Sequence, residues 1–248
     1  MKKIIKEIIS YLHLRIFMAP VNSASILMYH SIGENGLFFS VRQEDFEKQM
    51  KYLKENNFNI ISINTLNDYL VKGDIPSNTV CLTFDDGHLD NFEIVFPILK
   101  KYNFPATIFV NTNFMGKEIE KRGIKSKIFG WEESKIMEDS GLIDIEPHTM
   151  NHIKLHKSPD SEIEKEIIGS KNEIEKILNK KCIFFAYPSG RYTQNVVEII
   201  KKNEFKLAFT VNKGLVIAGD NPLLLNRNSV DSGVGPHQFS KIALSGRL

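Results

Sequence analysis

Short apolar runs alternate along the chain with longer stretches in which apolar residues recur every three or four positions. The short runs predict strands buried on both faces, and the longer stretches predict amphipathic helices. The predicted strands cover residues 25–29, 59–63, 80–84, 106–110, 142–145, 183–187, 207–211 and 223–225. The predicted helices cover residues 43–56, 66–71, 93–102, 132–139, 159–178 and 195–203, the fifth with Ser158 as its N-cap and Pro159 at its first position.

This alternation predicts an α/β fold, a distorted (β/α) barrel of the TIM type with seven or eight strands. The glycines lie singly, without the spacing of a dinucleotide or triphosphate loop. Parallel barrels place their active sites at the carboxyl ends of the strands, so the residues that follow each strand are the candidates for function.

Residues 1–20 predict a separate N-terminal element. Their apolar residues are interrupted by Lys6, Glu7, His13 and Arg15 at helical spacing, which indicates an amphipathic helix rather than a membrane span or a secretion signal. We expect this helix to cap a single catalytic domain, residues 21–248, in the cytoplasm. Contact with a membrane surface or a partner through residues 1–20 is the alternative, and export is a further one.

The composition agrees with one globular domain. Of the 248 residues, 42% are hydrophobic and 25% charged, and 32 basic and 30 acidic residues leave a formal net charge of +2. This charge is too small to indicate a nucleic-acid partner. Cys81 and Cys182 lie in apolar runs, which predicts buried thiols rather than a disulfide framework or a thiolate metal site.

Two adjacent carboxylates follow the third predicted strand, in the sequence Thr83-Phe84-Asp85-Asp86-Gly87. An Asp-Gly pair alone is typical of a turn. Two carboxylates buried at a strand end, however, repel each other unless a cation or hydrogen-bond donors hold them. A metal on one of them leaves the other to act as a base.

Two histidines, His148 and His152, follow the fifth predicted strand. If a helix begins after Pro147, both project from one face and can share a metal ion, whereas surface or capped core histidines are the structural alternative. Thr149 stands where zinc proteases carry a glutamate base, so the base has to come from elsewhere, and Asp85 is available.

Two imidazoles and a carboxylate form the ligand set of a catalytic zinc site with an open position for water. His30 and Pro188 also follow predicted strands, so four separated segments are expected to converge on one pocket. The sequence therefore predicts a metal-dependent hydrolase.

The two clusters together resemble the motifs of the polysaccharide deacetylases, carbohydrate esterase family 4, whose domain is called the NodB-homology domain. The resemblance spans about residues 25–230. Its Thr-Phe-Asp-Asp-Gly motif implies Asp85 as the base and Asp86 as a metal ligand. Its His-Thr-x-x-His motif implies His148 and His152 as the other metal ligands.

The family's third motif is only partly kept, as Ala186-Tyr187-Pro188-Ser189-Gly190. It lacks the arginine that orients the base in the family. Arg191 or Arg227 has to replace it, and we prefer Arg227 because it lies at a strand end. The turn from Tyr187 to Gly190 is assigned to substrate binding and to the oxyanion, which one of its backbone N–H groups would stabilise.

The family's last motif, Leu-x-x-His, normally lies near the C-terminus, but here it appears early, as Leu27-Met28-Tyr29-His30. This permuted order, with Trp131 in a helix before the histidine motif, is similar to that of deacetylases acting on poly-N-acetylglucosamine. It implies His30 as the acid that protonates the departing amine, and Trp131 could stack on a sugar ring. His237, in a setting typical of a surface loop, is the alternative acid.

The resemblance thus implies a hydrolase that removes N-acetyl groups from an amino sugar in a polysaccharide or glycolipid. Its cofactor would be a divalent metal, zinc first and cobalt or nickel as alternatives. Three other functions remain open: a deacylase of a non-sugar amide, a carbohydrate-binding protein without catalysis, and a scaffold that docks through residues 1–20. A base together with three metal ligands argues against the last two.

Overall fold

The computed structural model describes residues 21–34, 36–121 and 123–246, and the predicted N-terminal helix lies outside them. The strands in this part of the chain are β1 (Ser23–Tyr29), β2 (Asn59–Ile60), β3 (Thr79–Asp86), β4 (Ala106–Val110), β5 (Glu118–Lys121), β6 (Ile124–Lys127), β7 (Ile143–Pro147), β8 (Phe184–Ala186), β9 (Leu207–Phe209), β10 (Val216–Ile217) and β11 (Asn228–Ser229). The α-helices are α1 (Gln43–Glu55), α2 (Ile63–Lys72), α3 (Phe96–Tyr102), α4 (Trp131–Asp139), α5 (Asp160–Leu178), α6 (Gln194–Lys202) and α7 (Pro236–Ser245).

The central sheet is mostly parallel, as the alternation of strands and helices predicts. β3 pairs with β1 on one side and with β4 on the other, and β4 pairs with β7. The short strands β2 and β11 extend this parallel arrangement, while β10 lies antiparallel to β1. β8 and β9 form a separate parallel pair. The predicted α/β class is therefore confirmed.

The strands follow the path of a barrel, but ladders do not close it within the residues that the structure describes. Between β7 and β8, the carboxylate of Glu146 accepts hydrogen bonds from the backbone N–H groups of Ile183, at 3.4 Å, and Phe184, at 3.2 Å. Between β9 and β11, an isolated bridge joins Phe209 to Leu225. In a closed barrel, both of these junctions would be ladders of backbone hydrogen bonds. Here one junction is made by the Glu146 side chain and the other by a single bridge.

Alternate residues of the strands pack on opposite sides of the sheet. Leu27 and Tyr29 of β1 belong to the large cluster beneath the outer helices, whereas Ala24 and Ile26 face an inner cluster with Phe209. This two-residue period explains why the strands are apolar throughout their length. Both cysteines are buried and free, as predicted.

Several sequence-based boundaries are wrong. The predicted strand 223–225 is reduced to a single bridge between Leu225 and Phe209, because the backbone of Leu225 bonds to Ala208 and Thr210 but the pairing does not extend into a ladder. Helix α5 begins at Asp160, since the extended backbone of Pro159 (φ −62°, ψ 151°) makes that residue, rather than Ser158, the N-cap.

The hairpin of β5 and β6 was not predicted, because its strands are short, charged and largely exposed. In the described part of the chain, no helix combines the length and the apolar character needed to cross a membrane.

Candidate active site

The carboxyl ends of β1, β3, β4 and β7 meet at one edge of the sheet. Tyr29 pairs with Phe84, Asp86 with Val110, and Val110 with Pro147, so the residues that follow these strands come side by side. They open onto a cavity of about 510 Å³, a size typical of small-molecule sites. The cavity is lined by His30, Gly36, Leu37, Phe38, Phe39, Asp85, Asp86, Ile124, His148, His152, Ser189 and Val211.

Three of the lining residues form a candidate metal centre. One potential ligand atom from each of Asp86, His148 and His152 lies within 4.8 Å of the other two. Oδ1 of Asp86 and Nε2 of His152 are 3.5 Å apart. Asp86 and His148 are buried, while the side chain of His152 is 23% exposed. One side of the triad is thus accessible from the cavity.

The orientation of His148 is fixed by the backbone of β8. Its Nδ1 lies 2.7 Å from the carbonyl oxygen of Ala186, and because a carbonyl only accepts, Nδ1 carries the proton. Nε2 is then left with its lone pair, as a metal ligand requires. Burial, which disfavours the charged imidazolium, lowers the pKa of His148 to about 4, so the ring is neutral at pH 7.

The segment from His148 to His152, which we call the histidine loop, is not the helix that the four-residue spacing allowed. Thr149 and His152 both adopt positive φ angles, 70° and 53°, which a right-handed helix excludes. The hydroxyl of Thr149 accepts a hydrogen bond of 3.0 Å from the backbone N–H of His152. The two rings, with centroids 5.0 Å apart, are therefore brought together by a tight loop rather than by a helical face.

The other carboxylate, Asp85, is held by Arg227. Two parallel hydrogen bonds of 2.7 Å join the guanidinium to the two carboxylate oxygens, and Arg227 is fully buried. Its Nε donates to the carbonyl of Thr210, which fixes the direction of the fork. Burial alone would raise the pKa of Asp85, but the charge of Arg227, with a contribution from His148, lowers it below its usual range. Arg191, the other candidate, lies exposed on the surface.

Most backbone N–H groups of the turn after β8 are already hydrogen-bonded within the protein. The N–H of Tyr187 donates to Phe209, that of Gly190 to Tyr187 and that of Arg191 to Pro188, and Pro188 has none. Ser189 lines the cavity and has a positive φ of 57°. Its N–H is therefore the candidate oxyanion donor of this turn.

His30 follows β1 and lines the cavity, and its ring lies 4.9 Å from that of Phe39. Burial lowers the pKa of His30, although Asp85 and Asp86 partly offset this effect. The alternative acid, His237, is exposed in the first turn of α7, a helix rather than the predicted loop, and is not among the residues that line the cavity.

Two aromatic residues assigned to the substrate lie elsewhere. Tyr187 is buried and its hydroxyl donates to the carbonyl of Leu223, so its ring is not available to a sugar. Trp131 packs against the large core cluster and is not among the lining residues. The aromatic wall is instead Phe38 and Phe39, and Phe38 is 68% exposed. The apolar run Leu37-Phe38-Phe39, in a glycine-containing segment after a strand end, was the signal in the sequence that could have identified this wall.

The fold is a parallel α/β barrel, and its candidate site lies in a cavity at the carboxyl edge of the sheet. A family model described as polysaccharide deacetylase matches residues 72–208. The chain belongs to this family, carbohydrate esterase family 4, as its motifs imply. Poly-beta-1,6-N-acetyl-D-glucosamine N-deacetylase of Staphylococcus aureus is 30% identical to it over 244 residues, which cover 89% of this chain and 83% of that protein.

Solved structures show the same fold. The Streptococcus pyogenes deacetylase PplD, in complex with acetate, superposes with a TM-score of 0.79 at 28% identity, covering 90% of this chain and 98% of that one. IcaB from Ammonifex degensii superposes with a TM-score of 0.80 at 26% identity, covering 90% of this chain and 96% of that one. The predicted distorted barrel of the NodB type is therefore confirmed.

Proposed function

We propose that this protein removes acetyl groups from N-acetylglucosamine residues of a polysaccharide by metal-dependent hydrolysis. The observation that carries the proposal is the juxtaposition of a buried, arginine-held carboxylate, Asp85, with the donor set of Asp86, His148 and His152 in one cavity. The similarity to a deacetylase named for poly-beta-1,6-N-acetyl-D-glucosamine supports the choice of substrate.

The donor set fits a divalent cation. Two imidazoles and a carboxylate suit zinc, cobalt or nickel, and the proton on Nδ1 of His148 leaves Nε2 available as a ligand. A cation held there would lower the pKa of a coordinated water from about 15.7 to about 7 and would polarise the amide carbonyl. His152, whose side chain is 23% exposed, lines the cavity from which a substrate would approach.

Asp85 then accepts the proton that the attacking water loses. Its lowered pKa keeps it ionised at neutral pH, and the fork of Arg227 fixes its orientation. The backbone N–H of Ser189 donates to the oxygen that becomes negative as the amide carbon turns tetrahedral. This donor is part of the fold before substrate binds, so it requires little rearrangement during the reaction.

His30 is the candidate donor of the proton that the departing amine needs. Because burial lowers its pKa, the neutral imidazole is its resting form near pH 7, and the ring has to gain a proton before it delivers one. The carbon–nitrogen bond of the amide breaks, and the products are acetate and a free amino sugar. The presence of Arg227 on Asp85 argues against a purely sugar-binding protein, because binding does not require an oriented base.

The test is acetate release from β-1,6-linked N-acetylglucosamine oligomers by the zinc-loaded protein. Asp85→Asn keeps the size of the side chain but removes the base, so turnover is expected to fall by about 10²- to 10⁴-fold while zinc content stays unchanged. His237→Ala, outside the cavity, is the control and should retain full activity.

N-acetylhexosamine glycolipids and a non-sugar acetamide form two further substrate arms. Release from the acetamide alone would replace the sugar substrate by another amide. Full activity of Asp85→Asn on the oligomers would exclude Asp85 as the base.

A further inference from the structure

The histidine loop has an energetically unfavourable backbone. Thr149 and His152 carry side chains yet adopt the left-handed region, and His152 is itself a candidate metal ligand. Strained residues of this kind persist only where the surroundings fix them. The loop therefore needs anchors outside itself to keep the two imidazoles at their separation.

Helix α5 provides one such anchor in the carboxylate of Glu166. Its Oε2 accepts a hydrogen bond of 2.8 Å from the backbone N–H of Asn151, and its Oε1 accepts one of 2.6 Å from the side-chain amide of the same residue. Asn151 immediately precedes His152. Both oxygens of this one carboxylate thus bind the loop at the residue next to a metal ligand.

The opposite side of the loop is held by the turn that follows β4. The side-chain amide of Asn113 donates to Oδ1 of Asn151 at 2.8 Å, and the N–H of Asn113 donates to the carbonyl of Met150 at 3.0 Å. Met150 in turn lies against α5, where a Cβ at Gly169 would come within 2.4 Å of its sulfur atom. The loop is therefore clamped between a rigid helix and a strand end.

The burial of the Glu166 carboxylate is energetically unfavourable unless the carboxylate has a structural role. The residue is 5% exposed, and within residues 21–34, 36–121 and 123–246 it forms no ion pair with a lysine, arginine or histidine. A buried carboxylate without a counter-ion is disfavoured unless hydrogen bonds compensate. Its neighbours Ile163, Ile167 and Ser170 are buried on the same helix, so the side chain has little room to swing away.

We propose that Glu166 is a positioning residue, which sets the separation of His148 and His152, and hence the metal affinity, through Asn151. This inference rests on the proposed function, since it assumes that the triad binds a divalent cation. Residues that orient metal ligands typically change metal affinity or activity by about 10- to 100-fold when they are replaced.

The experiment measures the affinity of the apo protein for Zn²⁺ by calorimetry, and the visible absorption spectrum of its Co²⁺ form. Glu166→Gln keeps the size of the side chain but turns an NH₂ group toward one of the two donors, so the dissociation constant for Zn²⁺ should rise about tenfold or more. Asn151→Ala, at an exposed residue, removes the side-chain hydrogen bonds with Glu166 and Asn113 but keeps the backbone one to Glu166, and it should act in the same direction. Glu164→Gln, on the same helix with a side chain that is 45% exposed, is the matched control and should bind Zn²⁺ like the wild type.

The Co²⁺ spectrum distinguishes positioning from a loss of fold, because it reports the ligand geometry of the folded protein only. A changed spectrum and a weakened affinity in Glu166→Gln, with the apo unfolding midpoint of Glu164→Gln and Glu166→Gln alike, support the proposal. Unchanged affinity and spectrum in both Glu166→Gln and Asn151→Ala overturn it while leaving the proposed function intact. Absence of Zn²⁺ binding in the wild type overturns the metal-dependent function and this inference with it.

Discussion

The buried pair of Asp85 and Arg227 joins residues 142 positions apart in the chain. Without the guanidinium, burial would raise the pKa of Asp85, since desolvation is its largest single influence. The charge of Arg227 reverses that effect, so the base stays ionised. The pair therefore keeps the proposed base ionised and also links stability to pH.

Arg227→Met, which removes the charge but keeps much of the length, should raise the pKa of Asp85. The acidic limb of the pH profile of kcat/KM is expected to move to higher pH, because the base becomes protonated sooner. Removing one partner of a buried pair also costs about 3–5 kcal/mol of stability. Arg227→Lys, which keeps the charge without the fork, should shift the limb less.

The measurements are pH–rate profiles and urea unfolding as a function of pH. Because the folded pKa of Asp85 lies below its unfolded value of about 3.9, the stabilising effect of the pair is complete above that pH and is lost as the pH falls through the folded pKa. An acidic limb that stays in place in Arg227→Met would show that another group controls the base.

At the residue scale, the sequence was informative where chemistry follows from a short motif. Asp85, Asp86, His148 and His152 all line the cavity, and Arg227 reaches Asp85, although their catalytic and ligand roles stay predictions. Trp131 and Tyr187 were misplaced because an aromatic side chain serves a core as readily as a sugar site. Only three-dimensional packing decides between these two uses.

At the scale of elements, the turn of Pro188–Gly190 shows how closely the site is packed. Gly190 has φ of 66°, and a Cβ there would lie 2.4 Å from a methyl group of Val211 and 2.6 Å from its backbone nitrogen. Glycine is required both for the backbone angle and for the space. Any shift of this turn also moves the N–H of Ser189.

Gly190→Ala is therefore expected to lower the free energy of unfolding by more than its left-handed angle alone explains. Gly73→Ala is the matched control, because Gly73 has a similar φ of 73° but open space around it. Gly73→Ala should lower the free energy of unfolding by about 1–2 kcal/mol. In Gly190→Ala, overpacking should lower it by about 1–3 kcal/mol more, and kcat should also fall. Urea unfolding and turnover measure both effects, and equal losses in the two variants would refute the packing argument.

The spacing of His148 and His152 illustrates the limit of prediction for elements. A separation of four residues is compatible with a helix or with a tight loop, and the sequence does not state the backbone angles that decide between them. The long amphipathic helices and the buried strands were easier, because their periodicity extends over many residues. Short exposed strands such as β5 and β6 carry no such pattern.

At the scale of the whole molecule, the parallel sheet was predictable, whereas its incomplete closure was not. Closure depends on hydrogen bonds between distant segments, such as those of Glu146 with the start of β8. A single glutamate in a sequence does not indicate that its carboxylate will bind the backbone of another strand. The solved relatives share this overall fold, with TM-scores of 0.79 and 0.80.

The candidate ligands come from two strand ends, Asp86 at the end of β3 and both histidines after β7, with β4 between them. A cation bound to all three should tie these strands together. Zn²⁺ at 100 times its dissociation constant is expected to stabilise the folded protein by about 2.7 kcal/mol.

This stabilisation by Zn²⁺ should be absent in His148→Ala. It should be present in His237→Ala, in which only an exposed histidine of α7 is replaced. Urea unfolding with and without Zn²⁺ measures it. Equal stabilisation of all three proteins would place the bound ion outside this triad.

The position of Arg227 also has a consequence for biosynthesis. A ribosome delivers Asp85 long before Arg227, and β1, which His30 follows, stays without β11 until nearly the whole chain has emerged. A nascent chain that has not reached residue 227 leaves Asp85 without its counter-charge. The pair of Asp85 and Arg227 therefore forms late, when the last barrel segment docks beside the first.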